Sequence, residues 1–195
     1  MRAGVTIYFI RHGETGWNAQ SRYQGQADIP MNATGREQAQ RNGEVLRGLL
    51  PAIARCRFIA SPLSRARATM EIVRTAMGLP PRDYDLDDRL KEINYGAWQG
   101  VFAADLPTVD PQGLAARAKN AFHWRPEGGE SYADLMARAV DWLEEIEEDA
   151  VVAAHGGISR VLRGHLYGID TAAVPELPVP QDRILVLRRD GMEWL

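Results

Sequence analysis

Two short motifs that contain histidine follow apolar runs typical of buried strands. They are Arg-His-Gly-Glu-Thr at 11–15 and His-Gly-Gly at 155–157. Because open α/β sheets bind ligands at the carboxyl ends of their strands, we expect His12 and His155 to face one another across a crevice. The two glycine amides after the second histidine would begin a helix there, and such amides bind anions. Phosphate is therefore the expected ligand.

The elements that must position these motifs are strands and helices that alternate along the chain. Apolar, β-branched runs predict strands, and apolar residues three or four positions apart predict amphipathic helices. The predicted strands are residues 5–10, 57–60, 151–154 and 184–187, with a last strand after the turn at 190–191. The predicted helices begin at a Thr34/Glu37 capping box, at Ser61-Pro62, at Ser131/Asp134 and after residue 157. The first helix buries Ala39, Gly43, Leu46 and Leu50 and ends at Pro51; two others end at Gly78 and Gly168. This alternation predicts a layered α/β fold.

Length and charge indicate one globular domain that does not bind nucleic acid. The chain has 195 residues, of which 45% are apolar and 25% charged, and its formal net charge is −3. Lys91 and Lys119 are the only lysines, so 21 of the 23 basic residues are arginines, whose guanidinium binds phosphate at two points. The single Cys56 excludes an internal disulfide and a multi-cysteine metal site. The N-terminal apolar run is too short to cross a bilayer, so a cytoplasmic location is expected.

Further motifs connect the two histidines in a set order. They are Trp-Asn at 17–18, Gln-Gly at 24–25, Ser-Pro-Leu-Ser-Arg-Ala at 61–66, and Glu92 before Asn-Tyr-Gly-Ala-Trp-Gln-Gly at 94–100. Over residues 7–168 this series resembles the histidine phosphatase superfamily, which includes the cofactor-dependent phosphoglycerate mutases. The resemblance implies a three-layer α/β/α fold with a mostly parallel central sheet, like that of phosphoglycerate mutase, in a single domain over 1–195.

The same resemblance implies a role for each matching residue. His12 is the nucleophile, Glu92 is the proton donor, and the phosphate is held by Arg11, Asn18, Arg65 and His155. Two residues are added as binding residues, Gly156 for its amide at a helix start and Gln24 as part of the substrate pocket.

The residue types suit phosphoryl transfer without a metal. Arginines and a second histidine around the phosphate oxygens stabilise the charge of the transition state. Those arginines should lower the pKa of His12 and so favour the neutral imidazole that attacks phosphorus. Glu92 must be protonated to help the leaving group depart, so burial or the bound phosphate must oppose the effect of the arginines on its pKa. The sequence has neither a His-Glu-x-x-His motif nor a P-loop, and we expect no metal and no cofactor.

Other polar residues near the motifs are expected to have less direct roles. Arg67 is two positions after Arg65 and points about 200° away around the helix, so we expect it to face solvent. Glu14 is expected to hold its loop by hydrogen bonds, and it is the second choice for the acid. His165 falls on the apolar face of its helix and is expected in the core. For His123 two alternatives stay open, a position that lines the pocket and an ordinary loop position.

The segment after Glu92 favours a phosphatase over a mutase. In the mutases this glutamate begins Glu-Arg-His-Tyr-Gly and a longer basic insertion follows, whereas residues 92–100 here resemble the phosphatase branch, apart from Gln99 where a glutamate is more usual. We therefore expect a phosphomonoesterase for a small phosphorylated metabolite, such as a bisphosphorylated sugar, a phosphoglycerate or ribazole phosphate. Residues 97–126, with Arg117 and Lys119, are expected to form a lid or to line the pocket. A phosphoglycerate mutase is the first alternative and a non-catalytic phosphate-binding module the second; the oligomeric state stays open.

Overall fold

A mixed sheet forms the centre of the computed structural model, which describes residues 1–49 and 52–195. Its strands in that part of the chain are β1 (Ile7–Arg11), β2 (Arg57–Ala60), β3 (Asp85–Leu86), β4 (Ala150–Ala154), β5 (Ile184–Arg188) and β6 (Gly191–Trp194). Their order in the sheet is β3-β2-β4-β1-β5-β6. The first four of these are parallel to one another, whereas β5 is antiparallel to β1 and β6 is antiparallel to β5. The predicted mostly parallel sheet is confirmed.

Helices cover both faces of the sheet. They are α1 (Gly16–Ala19), α2 (Ala33–Gly48), α3 (Ser64–Ala76), α4 (Leu106–Val109), α5 (Pro111–Lys119), α6 (Tyr132–Glu144) and α7 (Gly156–Tyr167). The pair α2 and α3 packs on one face, and the pair α6 and α7 packs on the other. The predicted three-layer α/β/α fold is therefore confirmed. Within the described residues, no helix has both the length and the apolar character that a bilayer crossing requires.

The core explains why the two central strands are mostly apolar. Ile7 and Phe9 of β1 belong to the core beneath α6 and α7, while Ile10 belongs to the core beneath α2 and α3. All five residues of β4 are buried. Strands covered on both faces show continuous rather than alternating hydrophobicity, and this makes them legible in the sequence.

The first turns of two helices differ in how well they were predicted. The Ser131 and Asp134 capping box of α6 is present as expected. The predicted Thr34/Glu37 box is wrong, because α2 begins at Ala33 and Asn32 caps it by accepting a hydrogen bond from the Gly35 amide (2.9 Å). Ala39, Gly43 and Leu46 are buried on α2 as predicted. Leu50 and Pro51, expected to complete that helix, lie outside the described residues.

Three other elements also differ from the sequence prediction. The helix expected from Ser61-Pro62 begins only at Ser64, and its N-cap Leu63 has no side-chain cap. β1 spans residues 7–11 rather than 5–10. The edge strand β3 was not predicted, because two exposed residues carry no hydrophobic pattern.

The segment 97–126 is folded around one buried tryptophan. Trp98 is 2% exposed, packs against Trp124 with ring centroids 4.3 Å apart and planes inclined at 41°, and donates its indole N–H to Asp110 (2.8 Å). Asp110 also caps α5 through the amide of Gly113 (2.8 Å). Prolines interrupt this segment and divide it into short helices. The tryptophan cluster holds these helices together.

Candidate active site

The two motif histidines meet at the carboxyl ends of neighbouring parallel strands. β1 and β4 pair with Arg11 opposite Ala154, and the His12 amide donates to the Ala154 carbonyl (2.9 Å). This pairing brings the rings of His12 and His155 to a centroid separation of 5.1 Å, with planes inclined at 58°. Both residues are buried, at 3% and 0% exposure.

A backbone contact defines the tautomer of His12. Its Nδ1 lies 2.8 Å from the carbonyl oxygen of Gly13. Because a carbonyl oxygen only accepts hydrogen bonds, Nδ1 carries the proton and Nε2 keeps its lone pair. Burial lowers the pKa of His12 well below 6.5, and the guanidinium groups of Arg65 and Arg11 lower it further. The ring is therefore a neutral base with Nε2 available for attack.

His155 is oriented by a serine that the sequence analysis treated as a helix start. Its Nε2 lies 2.7 Å from Oγ of Ser61, while its Nδ1 is buried and has no partner among the described residues. Burial lowers the pKa of His155 well below 6.5, with Arg65 and His12 as further causes. If the hydroxyl of Ser61 donates to Nε2 of this neutral ring, then Nδ1 carries the proton and donates towards the site.

Arg65 is fully buried and held at several points. It donates from Nη1 to the carbonyl of Ala27 (2.8 Å) and from Nη2 to that of Gly25 (2.5 Å). The Gln24 amide fits with its oxygen towards Arg65, where it accepts from Nε (2.7 Å) and Nη1 (3.0 Å), and with its nitrogen towards the Thr15 hydroxyl. Burial lowers the pKa of Arg65 to about 10, which leaves it a cation at neutral pH.

Arg11 contributes a second guanidinium, which is half-buried. Its Nη1 donates to the Val179 carbonyl (2.7 Å), whereas its Nε has no partner in the described part of the chain. A Cβ atom added to Gly156 would lie 3.6 Å from this Nε, so the guanidinium runs beside the start of α7. Of the four buried, unpartnered polar side-chain atoms in the described residues, two are therefore in this site, Arg11 Nε and His155 Nδ1. A buried donor without an acceptor costs about 1–3 kcal/mol, so the arrangement suits an oxyanion.

Glu92 is fixed at both its carboxylate and its backbone. The carboxylate accepts from the amides of Gly157 (3.0 and 3.2 Å) and Ile93 (2.9 Å). The Glu92 carbonyl accepts from Arg138 (2.9 Å) and from Gln26 (3.0 Å). A carboxylate anchored at the N-terminus of α7 therefore faces the two arginines across the site.

One cavity of about 260 Å³ is lined by most of these groups, whereas His155, which is fully buried, is not among its lining residues. Its lining includes the predicted residues Arg11, His12, Asn18, Gln24, Arg65, Glu92 and Gly156. Asn18 is held by its side-chain oxygen, which accepts from the Thr15 amide (3.2 Å) and from Gln181 (3.3 Å), so its amide nitrogen is left for a ligand.

Several lining residues were not predicted from the sequence. They are Ser21, Arg22, Tyr23, Gly25 and Arg160, whereas Ala103 belongs to the segment 97–126, which was expected to line the pocket. Arg160 has a recognisable signal, because it is four residues after Gly156 and so lies on the same face of α7 one turn later. Tyr95, which also lines the cavity, belongs to the Asn-Tyr-Gly-Ala-Trp-Gln-Gly motif at 94–100.

Arg67 and Glu14 lie where the sequence analysis placed them. Arg67 is exposed on α3. Glu14 accepts from the Asn32 side chain (2.7 Å), and its backbone is packed against Gly35, where an added Cβ would come within 2.2 Å of the Glu14 carbonyl. It holds the loop after the nucleophile, as expected.

The prediction that His165 is a core residue is wrong. His165 is exposed, and Arg163 is buried on that turn instead, where it donates to the Pro178 carbonyl (2.8 Å) and lies 5.7 Å from the Trp194 ring. His123 is also exposed and does not line the active-site cavity. In the described residues no group of three or more His, Cys, Asp or Glu could hold a metal ion.

Comparison with known proteins identifies the family. The family profile "Histidine phosphatase superfamily (branch 1)" matches residues 7–195. The chain belongs to the histidine phosphatase superfamily. It is 32% identical over 183 residues to glucosyl-3-phosphoglycerate phosphatase of Mycolicibacterium vanbaalenii, covering 88% of this chain and 78% of that protein. It is 37% identical over 135 residues to a probable phosphoglycerate mutase of Salmonella paratyphi C, covering 69% of this chain and 59% of that protein.

Solved structures agree with this membership. The native structure of mycobacterial glucosyl-3-phosphoglycerate phosphatase aligns with a TM-score of 0.79 and 28% identity over 98% of this chain and 96% of that one. The α-ribazole phosphatase of Shigella flexneri aligns with a TM-score of 0.80 and 25% identity over 93% and 89%. The predicted superfamily and its phosphatase class, a phosphoric monoester hydrolase, are confirmed. The mutase alternative is less supported, since that relative matches less of the chain.

Proposed function

We propose that this histidine phosphatase hydrolyses a small phosphorylated metabolite by transferring the phosphoryl group to Nε2 of His12. The observation that carries the proposal is the hydrogen bond between Nδ1 of His12 and the Gly13 carbonyl (2.8 Å), because it leaves a free lone pair on Nε2, near the guanidinium groups of Arg65 and Arg11. A neutral imidazole held in this way is a competent nucleophile towards phosphorus.

Five groups hold the phosphate in this proposal. Arg11 and Arg65 supply two positive charges, and the Nδ1–H of His155 supplies a neutral donor. The amide nitrogen of Asn18 and the backbone amide of Gly156 complete the set, with Gln24 orienting Arg65. Donors arranged before the substrate arrives stabilise the charge that spreads over the phosphoryl oxygens in the transition state.

The reaction then has two balanced steps. In the first, Nε2 of His12 forms a bond to phosphorus, the bond to the ester oxygen breaks, and Glu92 gives its proton to that oxygen. In the second, Glu92 takes a proton from a water molecule whose oxygen attacks phosphorus, and the bond to Nε2 breaks to release inorganic phosphate. Glu92 needs its proton only in the first step, when the ester is bound.

The segment 97–126 is proposed to close one side of the site within a single domain over 1–195. Ala103 lines the cavity, and Phe102 stacks on the guanidinium of Arg22 with 3.8 Å between the ring centroid and Cζ. Arg22 also donates to the Gly100 carbonyl (3.2 Å). Arg117 and Lys119, expected in the pocket, do not line this cavity.

The substrate is proposed to be a phosphorylated metabolite similar in size to the substrates that appear in the relatives' names. Glucosyl-3-phosphoglycerate, 3-phosphoglycerate and α-ribazole 5′-phosphate are the first esters to test. A cytoplasmic location and the lack of a nucleic-acid or membrane partner stay predictions from the sequence.

Phosphorus NMR on the enzyme with these esters tests the proposal, with 3-phosphoglycerate also primed with its bisphosphate. We expect inorganic phosphate to appear with the wild type and not with His12→Ala. Formation of 2-phosphoglycerate without phosphate release would identify a mutase. Ligand binding without turnover of any ester would identify a non-catalytic phosphate-binding module, and equal turnover by His12→Ala would refute the role of His12.

A further inference from the structure

The cavity contains a third guanidinium that the phosphate site does not use. Arg160 projects from α7 and lines the same cavity as His12 and Glu92. Its Nε donates to the Leu177 carbonyl (2.8 Å), and its Nη1 donates to the hydroxyl of Tyr132 (3.2 Å). These two contacts hold the plane of the guanidinium and leave Nη2 for a ligand.

Charge in the cavity is not balanced by the phosphate alone. No carboxylate of the described residues lies within salt-bridge distance of Arg160. In the proposed mechanism, Arg11 and Arg65 match the two negative charges of a phosphate dianion, and Glu92 is neutral when it acts as the acid. The charge of the half-buried Arg160 then has no carboxylate counterpart among the described residues, and an anion that enters the cavity can pair with it.

We infer that Arg160 is a specificity-determining residue that binds a second anionic group of the substrate. The site accordingly selects phosphate monoesters that carry a carboxylate or a further phosphate a few bonds from the ester oxygen. A guanidinium presents paired donors to such planar or tetrahedral oxyanions, and Tyr132 orients it for that contact. Arg22 lines the same cavity and adds positive charge near it. The inference deepens the proposed function and rests on it.

Isothermal titration calorimetry with two nearly isosteric ligands tests this inference. The ligands are 3-phosphoglycerate, which has a carboxylate, and glycerol 3-phosphate, which has an alcohol in its place. Both are titrated into Glu92→Gln, in which the neutral amide imitates the protonated acid and turnover is slow. We expect 3-phosphoglycerate to bind about tenfold more tightly or better, as a charged hydrogen bond allows, and 2,3-bisphosphoglycerate shows whether a second phosphate serves equally.

Variants of Arg160 then locate the source of the preference. In the Glu92→Gln background, Arg160→Met should reduce the preference to about one, and Arg160→Lys should keep part of it. Tyr132→Phe should weaken it less, because only the orientation of the guanidinium is lost. The exposed Arg67→Met removes one positive charge from the surface and serves as the matched control, for which the preference should not change.

Two results would overturn the inference. One is equal affinity for the two ligands in Glu92→Gln; the other is an equal loss for both ligands in Arg160→Met, which would indicate a structural tie to Leu177. If Arg160→Met does not fold, the Arg160→Lys and Tyr132→Phe ratios decide. This test measures binding, so its result is independent of the proposed function. The proposed function fails if p-nitrophenyl phosphate is not hydrolysed, or if its hydrolysis does not need His12.

Discussion

A methyl group at position 157 should disable the acid without touching the nucleophile. A Cβ atom added to Gly157 would lie 2.3 Å from Oε1 of Glu92 and 2.9 Å from Leu135, whereas ordinary contacts begin at 3.4 Å. In Gly157→Ala the carboxylate must therefore move by roughly 1 Å, and a misplacement of that size can cost on the order of 100-fold in rate. The helix itself tolerates alanine, so the fold should survive.

The leaving group decides how much of this loss is seen. We expect kcat for glycerol 3-phosphate to fall about 100-fold, since an alkoxide needs a proton to depart, and kcat for p-nitrophenyl phosphate to fall much less. Gly48→Ala, on α2 with nothing within 4 Å of the added methyl, is the control and should keep the wild-type rates. In a Glu92→Gln background Gly157→Ala should add little, because the two changes remove the same function. Full activity of Gly157→Ala on the alkyl ester, in a folded protein, would refute both the steric argument and the role of Glu92.

Three further outcomes are expected. Folding lowers the pKa of His12 and of His155 below 6.5, so below pH 6.5 the unfolded chain binds more protons than the folded one. The free energy of unfolding therefore falls as the pH is lowered, by up to about 1.4 kcal/mol per pH unit for each histidine. Denaturant titrations at pH 7 and 5.5 measure this fall, and equal stabilities would contradict it. Ser131→Ala removes the α6 capping box with Asp134 and should lower the free energy of unfolding by about 1 kcal/mol. Calorimetry should show a fall in Tm of about 2–4 °C, and Ser131→Thr should stay close to wild type. An unchanged Tm in Ser131→Ala would show that the cap is dispensable. Ser61→Ala removes the partner of His155 Nε2 and should weaken competitive inhibition by inorganic phosphate about fivefold, while Ser61→Thr restores it; a normal inhibition constant would exclude that positioning role.

The sequence predicted the histidine pair because the information is local. Each histidine follows a strand that is buried on both faces, and the parallel register of β1 and β4 then brings them together. Helical geometry shows that Arg65 and Arg67 cannot both reach one phosphate, and the family resemblance together with the nearer strand end selects Arg65; Arg65 is buried and Arg67 is exposed, as expected.

Residues whose roles depend on contacts distant in sequence were misjudged. Ser61 resembled a helix cap, but its hydroxyl contacts His155, 94 positions later. Helical periodicity placed His165 in the core, whereas the last turn of α7 packs towards the 178 loop and Trp194, which selects Arg163 as the buried side chain. Arg160 was not predicted, because an arginine on a helix is ordinarily solvated and its spacing from Gly156 indicates a site residue only when the cavity is known.

The unmatched polar atoms Arg11 Nε and His155 Nδ1 have a consequence for how the activity of the enzyme is limited. Inorganic phosphate offers these atoms the same oxygens as the substrate does, and it leaves the site as the product. The product therefore competes with the next substrate molecule, so turnover slows as free phosphate accumulates. The same binding protects the fold, by about 2.7 kcal/mol when phosphate is at 100 times its dissociation constant. The features that speed the chemistry thus also make the enzyme responsive to the phosphate level around it.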